Sequence, residues 1–289
     1  MTLVLSIIAW YHGEKGGTAM KTLYVSDLDG TLLRSDGRTS GFTNETINRL
    51  VEAGLIFSYA TARSYHTARK VTRGLNAAFP LIVYNGAMVV DNRDGSFLLK
   101  NFFGPEVLQV LEELFRNDIF PIVYSFLEGE EKFSYIPHRV SRGQQRFLDT
   151  RRGDQRERPV ATTEELKAGE IFYLTCIDEP ERLIPLYEKY REIYHCVFQK
   201  DIYTGDHWLE IMPKAASKAH AIRQLKEKLG CDRVVVFGDG KNDLDMFCMA
   251  QESYAVANAV AELKAVATGV IGGNDADAVA NWLLNNGKI

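Results

Sequence analysis

Four short apolar runs in this chain each stop at a polar residue, and helical stretches separate them. Leu23-Tyr24-Val25 leads into Asp27-Leu28-Asp29-Gly30-Thr31, Leu55 to Tyr59 into Thr61-Ala62-Arg63, Leu81-Ile82-Val83-Tyr84 into Asn85-Gly86, and Val234-Val235-Val236-Phe237 into Gly238-Asp239-Gly240-Lys241-Asn242-Asp243. The intervening residues 44–53, those up to about Gly74, and 217–229 read as helices. Strands alternating with helices in this way predict an α/β fold with a doubly wound, Rossmann-like parallel sheet. Such sheets place their ligands beyond the carboxyl ends of the strands, where these polar residues fall.

After Gly86 the pattern changes. Val89 and Val90, the turn-like Asn92-Arg93-Asp94-Gly95 and Phe97-Leu98-Leu99 read as a hairpin. Beyond Pro105, Val107, Leu108, Leu111, Leu114 and Phe115 form one apolar helix face. Residues 120–126, 133–136, 170–177 and 195–199 read as strands, 180–193 as a helix, and the charge-dense 151–158 as a solvated loop. This mixture predicts an α+β module inserted into the first domain. The expected division is a core of residues 20–86 and 206–289 with an insertion of residues 87–205, the doubly wound pattern resuming near Trp208.

Residues 1–19 stand apart. The run Leu3 to Trp10 lacks a basic flank and is too short to span a bilayer. Lys15-Gly16-Gly17 can be encoded by a purine-rich stretch resembling a bacterial ribosome-binding site, so the natural start is expected at Met20.

With 46% hydrophobic and 25% charged residues, the 289-residue chain has a globular composition and can bury a substantial core. A net charge of -4 leaves no basic footprint for nucleic acid. Cys176, Cys196, Cys231 and Cys248 form no C-x-x-C pair, which argues against a zinc knuckle and for a reducing cytoplasm. No G-x-x-x-x-G-K-[ST] loop occurs, and the third glycine of a G-x-G-x-x-G fingerprint after Phe237 would fall at Asp243.

Taken in order, Asp27-x-Asp29-Gly30-Thr31, Thr61, Lys218 and Gly238-Asp239-x-x-Asn242-Asp243 resemble the four motifs of the haloacid dehalogenase (HAD) superfamily of phosphatases, and the insertion resembles the C2 cap of its Cof-type subfamily. The resemblance runs from Met20 to the C-terminus. It implies a bacterial cytoplasmic enzyme that hydrolyses a small phosphate monoester, most often a sugar phosphate. Asp27 would be the nucleophile, giving an aspartyl-phosphate, and Asp29 the general acid and base. Proximity of the two carboxylates would help keep Asp29 protonated. Thr61, Lys218, Asn242 and Gly30 would contact the phosphoryl group.

A dianion beside Asp27, Asp239 and Asp243 costs about 4 kcal/mol per close charge pair at an effective dielectric of 20, so a cation is required, and Mg²⁺ suits an all-oxygen site. The resemblance implies Asp27, the Asp29 carbonyl and Asp239 as ligands, with Asp243 acting through water. Ala62 and Ala219 stand where the family usually carries glycine.

Arg63 is a candidate phosphate or substrate contact. In the insertion, His138, Arg139 and Arg142 are candidates too, although Arg139, Arg142 and Arg146 also fit one solvated helix face. Two other classes use the same core: a phosphomutase of the phosphomannomutase type, and a non-catalytic phosphometabolite-binding regulator. The regulator would usually have lost one of the two first-motif carboxylates, and both are present. Oligomeric state is not legible.

Overall fold

The computed structural model describes residues 20–200 and 204–289. The expectation for residues 1–19 lies outside the described residues. The chain divides into two compact units, one comprising residues up to Lys100 and from Ser217 onward, the other Asn101–Ala216.

The first unit is built on one sheet. Its strands are β1 (Thr22–Asp27), β2 (Ile56–Ala60), β3 (Pro80–Val83), β4 (Met88–Asp91) and β5 (Phe97–Lys100), and, after the second unit, β12 (Arg233–Gly238), β13 (Glu252–Ala255) and β14 (Gly269–Val270). Their order is β14-β13-β12-β1-β2-β3-β4-β5. From β14 to β3 all neighbours are parallel, and β4 and β5 add an antiparallel edge. The six residues of β1 are all buried because the strand lies between β12 and β2 and is covered on both faces, which explains its unbroken apolar character.

Caps fix where the helices begin. Ser40 accepts from Thr43 N at the start of α1 (Gly41–Glu52), and Ser64 from Thr67 N at the start of α2 (Tyr65–Val71).

The second unit holds a six-stranded sheet of β6 (Ile122–Leu127), β7 (Glu130–Tyr135), β8 (Glu157–Pro159), β9 (Glu170–Asp178), β10 (His195–Lys200) and β11 (His207–Met212), in the order β10-β11-β9-β6-β7-β8. Every pairing is antiparallel except β7 with β8. The helices α3 (Val107–Arg116), α4 (Arg142–Asp149), α5 (Thr163–Leu166) and α6 (Pro180–Tyr190) complete it. Its main core gathers Val107, Val110, Leu111 and Leu114 of α3 and Leu183, Leu186 and Tyr190 of α6 with Val123, Leu174, Cys176, Leu209 and Ile211 of the sheet.

Four details differ from the sequence reading. The hairpin at 88–100 extends the first sheet through β3, and β11 pairs with β9 and β10, so the division falls at 100/101 and 216/217 rather than at 86/87 and 205/206. Strand partners are a long-range choice that local pattern does not reveal. Leu108 is 40% exposed, so the buried face of α3 runs through Val107, Val110, Leu111 and Leu114. Inside the charge-dense 151–158, β8 forms and Arg156 is buried, because its guanidinium pairs with Asp154 and Glu131. Arg139 lies in a short 3-10 turn (Pro137–Arg139) before α4, so it does not share a helix face with Arg142 and Arg146.

Candidate active site

Asp27 is the last residue of β1, and the sheet stops there. The next residues turn sharply: Asp29 has φ -77°, ψ 120° and Gly30 φ 79°, ψ -4°, the dihedrals of a type II turn, which needs glycine at its third position. A Cβ on Gly30 would lie 2.4 Å from Asp239 Oδ2, so the second reason for glycine is the close approach of that carboxylate. Thr31 Oγ1 donates to Asp239 Oδ1 at 3.2 Å, joining the β1 loop to the β12 loop.

Lys218 arrives from a third direction. It opens α7 (Lys218–Leu229), whose cap Ser217 accepts from His220 N and which ends at left-handed Gly230. At the end of β3, Tyr84, Asn85 and Gly86 all have positive φ, a strained run for two non-glycine residues. The run is over-determined: Asn85 N donates to Thr61 O, Tyr84 N to Arg63 O, and a Cβ on Gly86 would lie 2.3 Å from Ser217 O. This arch therefore supports the Thr61–Arg63 loop and packs against the start of α7.

The expected fate of a lone helical lysine is solvation, yet Lys218 is 3% exposed. Its Nζ donates to Asp27 Oδ1 at 2.5 Å and to Asp243 Oδ1 at 2.8 Å. Asp243 Oδ2 accepts from the amides of Asp239 and Gly240, both at 3.0 Å, so Asp243 organises the loop as well as holding the lysine.

Asp27, Asp239 and Asp243 each offer an oxygen within 4.8 Å of the others. Burial pushes Asp27 well above the usual carboxylate range, with Asp243 and Asp239 adding to the rise and Lys218 opposing it. Asp239 is pushed up to about 6, first by burial and then by Asp243. Lys218 is raised because its two carboxylate partners outweigh the cost of burying it. Asp27 Oδ2 is buried and has no hydrogen-bond partner among the described residues. Three mutually repelling carboxylates, one of them with an unpartnered buried oxygen, fit an oxygen-bound divalent cation.

A family model for haloacid dehalogenase-like hydrolases matches residues 24–283, a span that contains all of these groups. The chain belongs to the haloacid dehalogenase-like hydrolases. Among its curated relatives, the 5-amino-6-(5-phospho-D-ribitylamino)uracil phosphatase YitU of Bacillus subtilis is 24% identical, covering 90% of this hydrolase and 96% of YitU. The HMP-PP phosphatase of Serratia proteamaculans is 26% identical over 91% of this chain and 94% of its own. With such relatives, the hydrolase is a phosphatase by class. The crystal structure of TM0651 from Thermotoga maritima superposes with a TM-score of 0.73 at 25% identity, covering 93% of this hydrolase and 98% of that chain. A haloacid dehalogenase-like hydrolase from B. subtilis, at 19% identity and a TM-score of 0.73 over 92% and 99% of the two chains, shares the fold.

Other sites expected in the hydrolase are distributed as follows. Asp29 is half exposed and does not join the acidic cluster; Arg63 Nε and Nη2 donate to its two oxygens at 2.8 and 2.6 Å. The close carboxylates of Asp27 are thus Asp239 and Asp243 rather than Asp29, because a strand-end residue and the residue two further on around the turn face different neighbours. Thr61 is buried and caps no helix: Ser64 caps α2, while Thr61 Oγ1 accepts from Arg63 N. Asn242 is exposed, in the short 3-10 turn Lys241–Asp243.

In the second unit, His138 and Arg142 are exposed. Arg139 pairs with Asp118 and lies over the Phe120 ring, and Arg146 pairs with Asp206. Sequence reasoning missed the bond from Thr31 to Asp239 and the part played by Asn258, whose Nδ2 donates to Gly30 O at 2.7 Å. Thr31 was visible as part of the first motif, whereas nothing local marks Asn258.

Proposed function

We propose that this hydrolase cleaves a small-molecule phosphate monoester through an aspartyl-phosphate on Asp27, with Mg²⁺ as cofactor. The observation that carries this reading is the state of Asp27. One oxygen is anchored by Lys218 at 2.5 Å, and the other is buried with no hydrogen-bond partner among the described residues. Leaving such an oxygen unsatisfied costs about 1–3 kcal/mol, a cost that a reacting or bound partner removes.

In this reading an Asp27 oxygen attacks phosphorus while the bond from phosphorus to the leaving oxygen breaks, and Asp29 gives that oxygen its proton. Asp29 then takes a proton from water as the water oxygen attacks phosphorus, releasing inorganic phosphate and restoring Asp27. Arg63 holds Asp29 before substrate arrives. Phosphoryl oxygens compete for the same guanidinium, so substrate binding frees Asp29 to take up from solvent the proton that it passes to the leaving oxygen and later regains from the attacking water. Lys218 keeps the attacking carboxylate oriented, and Thr61 and Asn242 offer polar contacts to the phosphoryl group.

Asp27, Asp239 and the Asp29 carbonyl would hold Mg²⁺, with Asp243 behind them; when bound, the ion neutralises charge that builds on the phosphoryl oxygens. The substrate class rests on kinship: YitU and the HMP-PP phosphatase are named for small phosphorylated metabolites, and a sugar phosphate or similar compound fits the family. A cytoplasmic setting agrees with four free cysteines. Among the described residues no helix is long and apolar enough to cross a membrane.

The test is phosphate release from a panel of sugar, nucleotide and cofactor monophosphates with Mg²⁺, run beside Asp27→Asn. Metal-dependent release by the wild type alone supports the reading and ranks leaving groups. Isomerisation of a sugar phosphate without net phosphate release would replace it with a mutase.

A further inference from the structure

Sheet hydrogen bonds fix Asp27 and the base of the β12 loop, but they end at the strand ends, where Ser26 pairs with Phe237. The turn and loop beyond those ends must be held by other bonds. The loop after β13 reaches both sides of the acidic cluster: Val256 N donates to Gly238 O at 3.1 Å, Val260 N to Asp239 O at 2.9 Å, and Asn258 Nδ2 to Gly30 O at 2.7 Å.

Asn258 is itself braced. Its Oδ1 accepts from Asn274 N at 3.1 Å, and Asn274, which is buried, donates from Nδ2 to Leu33 O at 2.9 Å, at the far end of the same β1 loop. Among the described residues, the Thr31–Asp239 bond and this strap connect the Asp29–Gly30 turn to the Asp239 loop.

We propose that Asn258 is a positioning residue that holds the Asp29–Gly30 turn at a fixed offset from Asp239, and so selects a small divalent cation over a larger one at the Asp27–Asp239 cluster. The inference rests on the cation reading above. Pinning the Gly30 carbonyl fixes the peptide plane after Gly30 and, across the Gly30 Cα with its turn dihedrals of φ 79° and ψ -4°, restrains the preceding peptide that carries the Asp29 carbonyl. A small cation such as Mg²⁺ needs near-octahedral ligands at about 2.0–2.1 Å, whereas Ca²⁺ accepts irregular sets at about 2.3–2.6 Å. A turn free to drift therefore penalises Mg²⁺ more. Partners one step outside the ligands typically change metal affinity by about 10- to 100-fold when lost.

The experiment is calorimetric titration of the full chain with Mg²⁺ and with Ca²⁺, without substrate, for the wild type, Asn258→Leu and Asn258→Asp. Leucine keeps the volume and loses the donor. Aspartate keeps the acceptor for Asn274 N, loses the donor and adds a charge that acts on both divalent ions alike, so the ratio of affinities still reads geometry.

The expected result is Mg²⁺ binding about tenfold weaker relative to Ca²⁺ in both variants. An unchanged ratio in variants that still bind metal would overturn the role of Asn258 and leave the cation reading standing. A wild type that binds neither ion would overturn the cation reading and this inference with it. Asn258 is exposed, so both variants should fold. Loss of folding in both would make it a structural residue and equally sink the proposal.

Discussion

Lys218 in the first unit and Arg156 in the second are both buried cations set between two carboxylates, and they differ in what they leave over. Arg156 gives Asp154 a two-pronged fork, at 3.0 Å from Nε and 2.7 Å from Nη2, and gives Glu131 a bond of 2.6 Å from Nη1. Its planar guanidinium matches the carboxylate geometry. Lys218 has a single nitrogen, which holds one oxygen each of Asp27 and Asp243, while Asp239 stands close by. One ammonium against three carboxylates leaves two negative charges, the charge of one divalent cation. The Arg156 arrangement is completed by the chain itself, and the Lys218 arrangement, in the reading proposed above, by a bound divalent cation.

The largest effect that would break this comparison is at Asp27. Asp27→Asn should lower turnover by roughly 10⁴-fold or more, while the unfolding midpoint of the metal-free protein holds or rises because one repelling carboxylate is gone. Steady-state rates and thermal unfolding of the same preparation check both halves. A metal-free protein strongly destabilised by the change would contradict the frustrated cluster.

Next in size, Lys218→Met and Arg156→Met each strand buried carboxylates and should cost about 3–5 kcal/mol in denaturant unfolding. Added Mg²⁺ should restore part of the loss in Lys218→Met and none in Arg156→Met. Equal rescue of both would erase the distinction between the two cations.

A smaller effect lies in pH. Asp239, pushed up to about 6 from the ordinary 3.8, binds its proton more tightly in the folded chain than in the unfolded one. Its contribution to stability is therefore fully present below the unfolded value and lost as pH rises through 6, a change on the order of 3 kcal/mol. Unfolding midpoints of the metal-free protein between about pH 4 and 7, at about half-unit steps, should fall along that range. Asp239→Asn should flatten the slope.

Smallest in stability is Arg63→Ala, whose exposed pair with Asp29 is worth less than about 1 kcal/mol. Loss of the group that directs Asp29 should nonetheless lower kcat by about 10- to 100-fold. Unaltered kcat would remove Arg63 from the cycle.

The site residues that could be read ahead of the structure are those placed directly after an apolar run. Asp27, Thr61 and Asp239 sit at strand ends, and local pattern finds strand ends. Lys218 could be read only in company, since an isolated lysine at a helix start carries no signal of burial. Asn258 could not be read, because its partner Gly30 is 228 residues away and the bond follows from how β13 lies in the sheet. Arg156 misled for the opposite reason: a dense charge run normally means solvent, and here Arg156 closes on Asp154 beside it and on the distant Glu131. The division between the units was misplaced at both ends by strands whose local pattern is right and whose partners are distant.

The register of β1 also bears on how this chain is born. β1 pairs with β12 from Thr22 with Arg233 to Ser26 with Phe237, partners that lie far apart in the chain. During synthesis the whole second unit, a continuous segment, emerges before β12 exists. Until then the apolar Leu23 to Val25 strand presents a bare hydrogen-bonding edge. Such long-range pairings form slowly, and open edges invite association with other chains. Substitutions in β12 should therefore show themselves in the yield of soluble protein from cells before they show in the activity of the molecules that do fold.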